Sequence, residues 1–152
     1  MIKKLDIRNS LIATELLNIQ LVSYEVEAKI IDYKNLPPLK DTTEAIMSCG
    51  EELYGYYVNE RLAGAISFKL YDNMLDIHRL FVHPDFFRAG VGRALVQYTL
   101  NNYQNVDKYI VRTGKMNTPA KNLYSKLGFV EIKDEQVAPN LLITVFEKLF
   151  SH

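Results

Sequence analysis

The sequence predicts an α/β fold in which helices pack on a mixed β-sheet. Two observations lead to this prediction. The strand-like runs 53–58 and 62–71 are close enough in the chain to form a hairpin, which makes neighbouring strands antiparallel. The run 75–83 is joined to another strand-like run, 107–113, through a helical pattern, and such a crossover requires parallel neighbours. Connections of both kinds in one chain predict a mixed, mostly antiparallel sheet.

The N-terminal third is predicted to be one strand followed by helices. Apolar and polar residues alternate in KKLDIR, residues 3–8, which is typical of a short strand. A helix should begin near Asn9 or Ser10, because the next apolar residues fall on one face, namely Ile12, Leu16 and Ile19. Between 21 and 46 two prolines interrupt the pattern, which restarts at a threonine cap. We therefore expect two helical pieces with an irregular joint.

The remaining elements follow one another closely. The hairpin runs are separated by Asn-Glu-Arg, which lacks the glycine that favours the tightest turns. Thr118 could cap a helix that has Pro119 at its first position and Gly128 at its end. The predicted elements after the hairpin are a strand at 75–83, a helix at 91–103, a strand at 107–113, a helix at 118–128 and a closing strand at 140–149.

Length and composition limit the classes of protein. A chain of 152 residues that is 48% hydrophobic suits a single domain, predicted here as 1–152. Lys plus Arg and Asp plus Glu number 18 each, so no net charge favours a nucleic-acid partner. The single cysteine, Cys49, excludes an internal disulfide, and no run approaches the roughly 20 apolar residues that span a bilayer. We expect a cytoplasmic protein that binds no membrane and no metal, because no His/Cys cluster has metal-ligand spacing.

The stretch FVHPDFFRAGVGRAL, residues 81–95, is a candidate anion site. Gly90 and Gly92 stand at the start of a helical pattern, where unpaired N–H groups and the helix dipole attract negative charge. Glycine also lets a phosphate approach the backbone closely. Arg88 and Arg93 flank the glycines and could add charge-assisted hydrogen bonds to a diphosphate. A bare Gly-x-Gly is equally compatible with a structural turn.

The strand before this loop changes phase. Leu75 and Ile77 occupy odd positions, whereas Leu80 and Val82 occupy even ones, which predicts a β-bulge near residues 78–80. A bulged strand that leads into a glycine loop and a helix resembles the cofactor site of the GNAT N-acetyltransferases. LFVHPDFFRAGVGRAL is similar to the central motif of that family, a Leu-x-Val-x-Pro strand end followed by Gln/Arg-x-x-Gly-x-Gly/Ala. The chain departs from the motif at Phe87, where the family has Gln or Arg.

A second segment extends the resemblance. NTPAKNLYSKLGF, residues 117–129, is similar to the second cofactor segment of the family, and the order of elements matches over nearly the whole chain. The resemblance implies helices on both faces of a sheet whose central parallel strand pair is splayed at the bulge. It also implies acetyl-CoA as the acetyl donor. The implied cofactor-binding residues are Leu80, Phe81, Val82, Arg88, Ala89, Gly90, Val91, Gly92, Arg93, Asn117 and Tyr124.

The resemblance further implies a direct mechanism, in which an acceptor amine attacks the thioester and expels the CoA thiolate. Tyr124 matches the family tyrosine whose hydroxyl protonates or stabilises that thiolate. His78 occupies the strand position at which many members carry a glutamate that removes the proton of the amine. A histidine there could accept a proton, or it could be bonded within the sheet or face the substrate pocket. Asp76 is a weaker candidate for the same role.

The acceptor is the least defined part of the prediction. It is expected to be a primary amine of a small molecule or a peptide, in a pocket formed by the helices before residue 50, a Tyr-rich hairpin and the 133–140 loop. The hairpin tyrosines are Tyr54, Tyr56 and Tyr57, which could instead pack on the sheet. Two other functions remain open at this point, an inactive CoA-binding or sensing module and a binder of another phosphate-bearing ligand. An edge strand near the C-terminus could pair in a homodimer.

Overall fold

Seven strands form one sheet in the computed structural model, which describes residues 1–150. Their order across the sheet is β1-β2-β3-β4-β5-β7-β6. The strands are β1 (Ile2–Lys4), β2 (Glu52–Val58), β3 (Arg61–Tyr71), β4 (Met74–Val82), β5 (Lys108–Gly114), β6 (Val130–Ala138) and β7 (Leu141–Leu149). The helices are α1 (Ser10–Ile30), α2 (Thr43–Met47), α3 (Val91–Asn102) and α4 (Thr118–Lys126), with 3₁₀ turns at Pro37–Lys40 and Pro84–Phe86. The single domain predicted for 1–152 extends two residues beyond the described part.

The predicted mixed sheet is confirmed. Strands β4 and β5 pair in parallel, and every other strand pair within residues 1–150 is antiparallel. The predicted bulge is also present, because Ser67 pairs with Arg79 and Phe68 pairs with Ile77, which leaves His78 as the extra residue on β4. The pairing of β4 with β5 ends at Ile77. Beyond the bulge the two central strands therefore separate.

Helices cover both faces of the sheet, and each face has its own apolar core. On one face, α1 and α2 contribute Ala13, Leu16, Ile19 and Ile46, which pack with the strand residues Leu53, Leu62, Ala65 and Phe81. On the other face, α3 and α4 contribute Val91, Leu95, Val96 and Tyr124, which pack with Phe68, Leu75, Val111 and Phe146. Within residues 1–150, no helix is both long enough and apolar enough to cross a bilayer.

The helical region before residue 50 differs in detail from the expectation. Helix α1 is continuous for 21 residues, capped by the side chain of Asn9, and runs well past Leu21. The irregular joint lies after Ile31 and contains the 3₁₀ turn at the two prolines. Helix α2 begins after Thr42, whose hydroxyl accepts a hydrogen bond from the Ala45 N–H at 3.1 Å, as a threonine cap should. The expected two pieces are present, but the first is longer.

One prediction at the strand level is wrong, and the predicted hairpin is present with a tighter loop than its sequence favours. The segment 133–140, expected as a loop beside the acceptor pocket, belongs mostly to the edge strand β6, and its last two residues form the turn into β7. The hairpin between β2 and β3 has the tightest kind of loop although it contains no glycine. Its two residues, Asn59 and Glu60, both adopt left-handed backbone conformations, with φ of 48° and 67°.

Candidate active site

A deep cavity lies where β4 and β5 separate. Its volume is about 720 Å³, and its walls come from α1, β4, β5, the loop before α3, and α3 and α4 themselves. The site therefore exists because a bulge at His78 ends the pairing of the two central strands. A cleft at this point exposes backbone groups of β4 that an unbroken sheet would pair.

The fold brings nearly all of the predicted site residues together around this cavity. The predicted residues that line it are His78, Leu80, Phe81, Val82, Arg88, Gly90, Val91, Gly92, Arg93, Asn117 and Tyr124. Ala89 is part of the same loop but does not contribute to the lining. Phe87, the residue that departs from the family motif, also lines the cavity and is 44% exposed.

The N-terminus of α3 presents its backbone to the cavity. Gly90 is the N-cap residue with a φ of 78°, and no side chain caps the helix. The buried side chains of Val91 and Leu95 hold the first turn against the sheet. A Cβ atom added to Gly92 would meet no heavy atom of the protein closer than 3.6 Å, so no protein contact requires glycine there. The free N–H groups of this turn are suited to an anionic group.

Tyr124 lies on α4 and lines the cavity. Asn117 caps this helix by accepting a hydrogen bond from the Ala120 N–H at 3.3 Å, so the predicted cap at Thr118 is wrong by one residue. Burial, with smaller contributions from Tyr24 and Glu27, raises the pKa of Tyr124 well above its ordinary value. Tyr124 is 4% exposed, and its hydroxyl makes no hydrogen bond within residues 1–150. This hydroxyl is thus protonated at neutral pH and available to a ligand.

His78 lies between two carboxylates. Its Nε2 atom is 3.7 Å from Asp76 Oδ2, and its Nδ1 atom is 3.5 Å from Glu51 Oε2. The adjacent Asp76 and Glu51 raise the pKa of His78 to about 9, although partial burial opposes them. Asp76 itself is bound by Arg112, whose Nη1 donates to its Oδ1 at 3.0 Å. His78 therefore carries a positive charge at neutral pH. The carboxylate of Asp76 is paired with two cationic side chains, those of His78 and Arg112.

Glu51 completes this cluster and was not found from the sequence. Burial alone would raise the pKa of Glu51, but His78, Ser67 and Arg79 together bring it down to about 2. Its Oε1 atom accepts hydrogen bonds from the Ser67 hydroxyl and from Arg79 Nε, the latter at 3.0 Å. A glutamate that follows a Cys-Gly turn gives no sequence signal for such a position, because its three partners lie on β3 and β4.

Helix α1 supplies cavity residues that the sequence also did not reveal. Ser23 Oγ accepts a long hydrogen bond, 3.4 Å, from the backbone N–H of Val82, a residue that the family resemblance implied for cofactor binding. Glu27 Oε1 accepts hydrogen bonds from Asn117 Nδ2 at 3.0 Å and from Thr113 Oγ1 at 3.5 Å. The spacing of the cavity-lining residues of α1 could have indicated this face, because Ser23, Val26, Glu27 and Ile30 recur at helical intervals.

Several other polar and aromatic residues lie outside the cavity lining. The hairpin tyrosines Tyr54, Tyr56 and Tyr57 do not line it, and Tyr54 is buried with its hydroxyl bonded to that of Tyr103. Asp85 pairs with Arg61 at 2.9 Å on the surface. No group of three or more His, Cys, Asp or Glu side chains within residues 1–150 is placed to hold a metal ion.

The bulged central strand pair and the cleft beside it define the fold class of this domain, and comparison with protein families agrees. A model of the acetyltransferase (GNAT) domain matches residues 21–150. The chain belongs to this family. The predicted recognition, fold class and splayed central strand pair are thereby confirmed.

Individual relatives cover the chain to different extents. The chain is 38% identical over 146 residues to the UPF0157 protein YqkA of Bacillus subtilis, a match that covers 96% of this chain and 43% of YqkA. The chain thus spans less than half the length of that relative.

Solved structures share the fold at low sequence identity. The ribosomal-protein-S18-alanine N-acetyltransferase of Escherichia coli superimposes with a TM-score of 0.81 at 16% identity, over 100% of this chain and 94% of that one. The paia N-acetyltransferase of Thermoplasma acidophilum in complex with coenzyme A gives 0.79 at 19% identity, over 99% and 98%.

Proposed function

We propose that this domain is an acetyl-CoA-dependent N-acetyltransferase that transfers an acetyl group to a primary amine of a small molecule or peptide. The amine attacks the thioester directly while both substrates are bound. One observation carries the proposal. A single cavity joins the uncapped start of α3, the separated strands β4 and β5, and the free hydroxyl of Tyr124. These are the three features that a diphosphate, an extended thioester arm and a departing thiolate require.

Acetyl-CoA would be held mostly by backbone groups. The first-turn N–H groups of α3, from Gly90 to Arg93, would bind the diphosphate, and the exposed side chains of Arg88 and Arg93 would add charge. The segment from Leu80 to Val82 would pair with the pantetheine arm, because β5 no longer pairs with β4 there. The match to the family and the likeness to CoA-containing structures support this arrangement.

Tyr124 would act as the proton donor to the CoA thiolate. Burial keeps the Tyr124 phenol protonated at neutral pH, so its hydroxyl can donate a hydrogen bond to the leaving sulfur and pass its proton to it as the C–S bond breaks. His78 is poorly suited to remove the proton of the amine at neutral pH. With a pKa of about 9, only about one His78 side chain in a hundred would be neutral at pH 7. We assign His78 an electrostatic role, as a fixed cation on the cavity wall.

The test is a thiol-release assay with acetyl-CoA and a panel of primary amines, alongside calorimetric measurement of CoA binding. Tyr124→Phe removes the hydroxyl and keeps the ring that packs against Phe129 and Phe146. We expect kcat to fall about 10²- to 10⁴-fold, as for loss of a general acid, with CoA affinity unchanged. Tyr56→Phe is the matched control, because Tyr56 lies outside the cavity.

The other outcomes separate the alternatives. Tight CoA binding without turnover of any amine by the wild-type protein would favour a CoA-binding or sensing module. Absence of CoA binding would reject the proposal altogether. Equal kcat for wild type and Tyr124→Phe would leave the transferase in place but remove Tyr124 as the acid.

A further inference from the structure

Helix α1 forms one wall of the cavity mostly with residues outside its core stripe, and Tyr24 belongs to both. The core stripe contains Ala13, Leu16, Gln20, Tyr24 and Ala28. The cavity face contains Ser23, Val26, Glu27 and Ile30, which follow one another at intervals of three, one and three residues. Glu27 supplies a carboxylate to this wall of the cavity. Glu25, two residues before it, is exposed and does not line the cavity.

The carboxylate of Glu27 has neutral partners and no cation. Asn117 Nδ2 donates to Glu27 Oε1 at 3.0 Å and Thr113 Oγ1 lies 3.5 Å away. Within residues 1–150, no Lys, Arg or His nitrogen approaches Glu27 within 4.0 Å. The two tyrosines whose pKa values Glu27 helps to raise, Tyr24 on its own helix and Tyr124 on α4, are likewise neutral. A partly buried carboxylate with only neutral donors is incompletely compensated, and a cationic ligand would complete it.

We propose that Glu27 binds the ammonium group of the acceptor and accepts its proton, an inference that rests on the proposed acetyl transfer. The hydrogen bond from Asn117 holds the carboxylate in place, and Val26 and Ile30 beside it provide an apolar surface. The acceptor is therefore a primary alkyl- or arylalkylamine that enters as a cation with an apolar stem. Burial also raises the pKa of Glu27, which makes it a stronger base than an exposed carboxylate.

The proton transfers balance. The ammonium loses one proton to Glu27, and its nitrogen lone pair forms the N–C bond to the thioester carbonyl carbon. The C–S bond then breaks, and the sulfur takes the proton of the Tyr124 hydroxyl. The new amide nitrogen gives its surplus proton to the Tyr124 phenolate, which restores the phenol. The products are the acetylated amine, CoA thiol and one proton on Glu27, which leaves to solvent.

The experiment compares Glu27→Gln with the matched control Glu25→Gln, which lies two residues away on the exposed side of α1. The probes are n-butylamine, phenethylamine and the dipeptide Ala-Gly, with n-butanol and 2-phenylethanol as uncharged counterparts. Glutamine keeps an oxygen that can accept from Asn117, so thermal unfolding should change little. We expect kcat/KM at pH 7 to fall at least 100-fold in Glu27→Gln, with CoA affinity and Glu25→Gln unchanged.

The pH profile distinguishes a base from a merely structural residue. An alkylammonium with a pKa near 10 is neutral in only about one molecule in a thousand at pH 7, but in about half of the molecules at pH 10. The deficit of Glu27→Gln should therefore shrink to a few-fold by pH 10. Glu27→Asp, which keeps the charge, should retain more activity at pH 7 than Glu27→Gln does, and it serves as the second variant if the glutamine protein folds poorly.

Several results would overturn the inference while leaving the proposed function intact. These are wild-type activity of Glu27→Gln at pH 7, a deficit that is the same at pH 7 and pH 10, or amine binding to the CoA-loaded protein that is no tighter than binding of the matching alcohols. If the wild-type protein bound no CoA, the proposed function would instead be rejected. The two failures are therefore distinguishable.

Discussion

Arg79 connects the helical region before residue 50 to the bulged strand, and its removal gives a quantitative test of the structure. Its side chain is 12% exposed. Its Nη1 atom donates to Asp41 Oδ2 at 2.8 Å and to Gln20 Oε1 at 2.9 Å, and its Nε atom donates to Glu51 Oε1 at 3.0 Å. One guanidinium thus joins α1, the joint before α2, the residue before β2, and β4.

Arg79→Met keeps the aliphatic stem and removes the charge. The carboxylate of Glu51 is 6% exposed and would lose its closest cation. Breaking one side of a buried ion pair costs about 3 to 5 kcal/mol, and we expect the lower end because His78 still lies 3.5 Å from Glu51. For a domain of this size, about 3 kcal/mol corresponds to a fall in Tm of roughly 6 to 12 °C. Urea and thermal unfolding followed by circular dichroism measure both quantities.

Arg61→Met is the matched control for this measurement. Arg61 pairs with Asp85 at a similar distance, 2.9 Å, but the two side chains are 53% and 61% exposed. Exposed pairs contribute about 0 to 1 kcal/mol. If Arg79→Met lost no more stability than Arg61→Met, the buried network would not hold these elements together as argued.

Two further predictions concern stability. The pKa of His78 is raised from 6.5 to about 9, so its ion pairs should stabilise the fold fully below pH 6.5 and lose that effect as pH rises through 9. The difference in free energy of unfolding between wild type and His78→Gln should narrow over this range in urea titrations, and a pH-independent difference would contradict the assignment. In Gly64→Ala, the new Cβ would lie 2.6 Å from the backbone oxygen of Phe81. We expect a loss of about 1 to 3 kcal/mol, measured by urea unfolding. Gly92→Ala, with no contact closer than 3.6 Å, should not show this loss, and equal stability of the two variants would argue against the close approach of β3 and β4.

Local sequence signals predicted the bulge and the glycine loop that border the cavity. The change of phase between Ile77 and Leu80 marks the bulge, and Gly90 marks the left-handed start of α3. Both features depend on a few adjacent residues, so they can be recognised without knowledge of the rest of the chain. The family resemblance of residues 117–129 implied that Tyr124 is a site residue, and the fold places it on the same cavity.

The second half of strand β6 and the second half of α1 could not be recognised from the sequence, because the patterns of their apolar residues are ambiguous. Strand β6 has no buried residue on either face, so its sequence VEIKDEQVA shows no single apolar side. The sequence therefore predicts a loop from residue 133 onward. In the second half of α1 the apolar residues Val22, Tyr24, Val26, Ala28 and Ile30 alternate as they would in a strand. They do so because part of the helix packs on the core while another part faces the cavity.

The sequence by itself determined the sheet class, the bulge and the glycine loop, since these follow from short-range periodicity and backbone preference. The polar contacts that helix α1 makes with the sheet and with α4 were decided by tertiary structure alone. Glu27 meets Asn117 across 90 positions of the chain, and Arg79 meets Gln20 across 59. Such contacts form only when α1 packs on the sheet in one fixed position. That packing removes the charged side chains from water, and only then does it matter whether each of them has a partner of opposite charge.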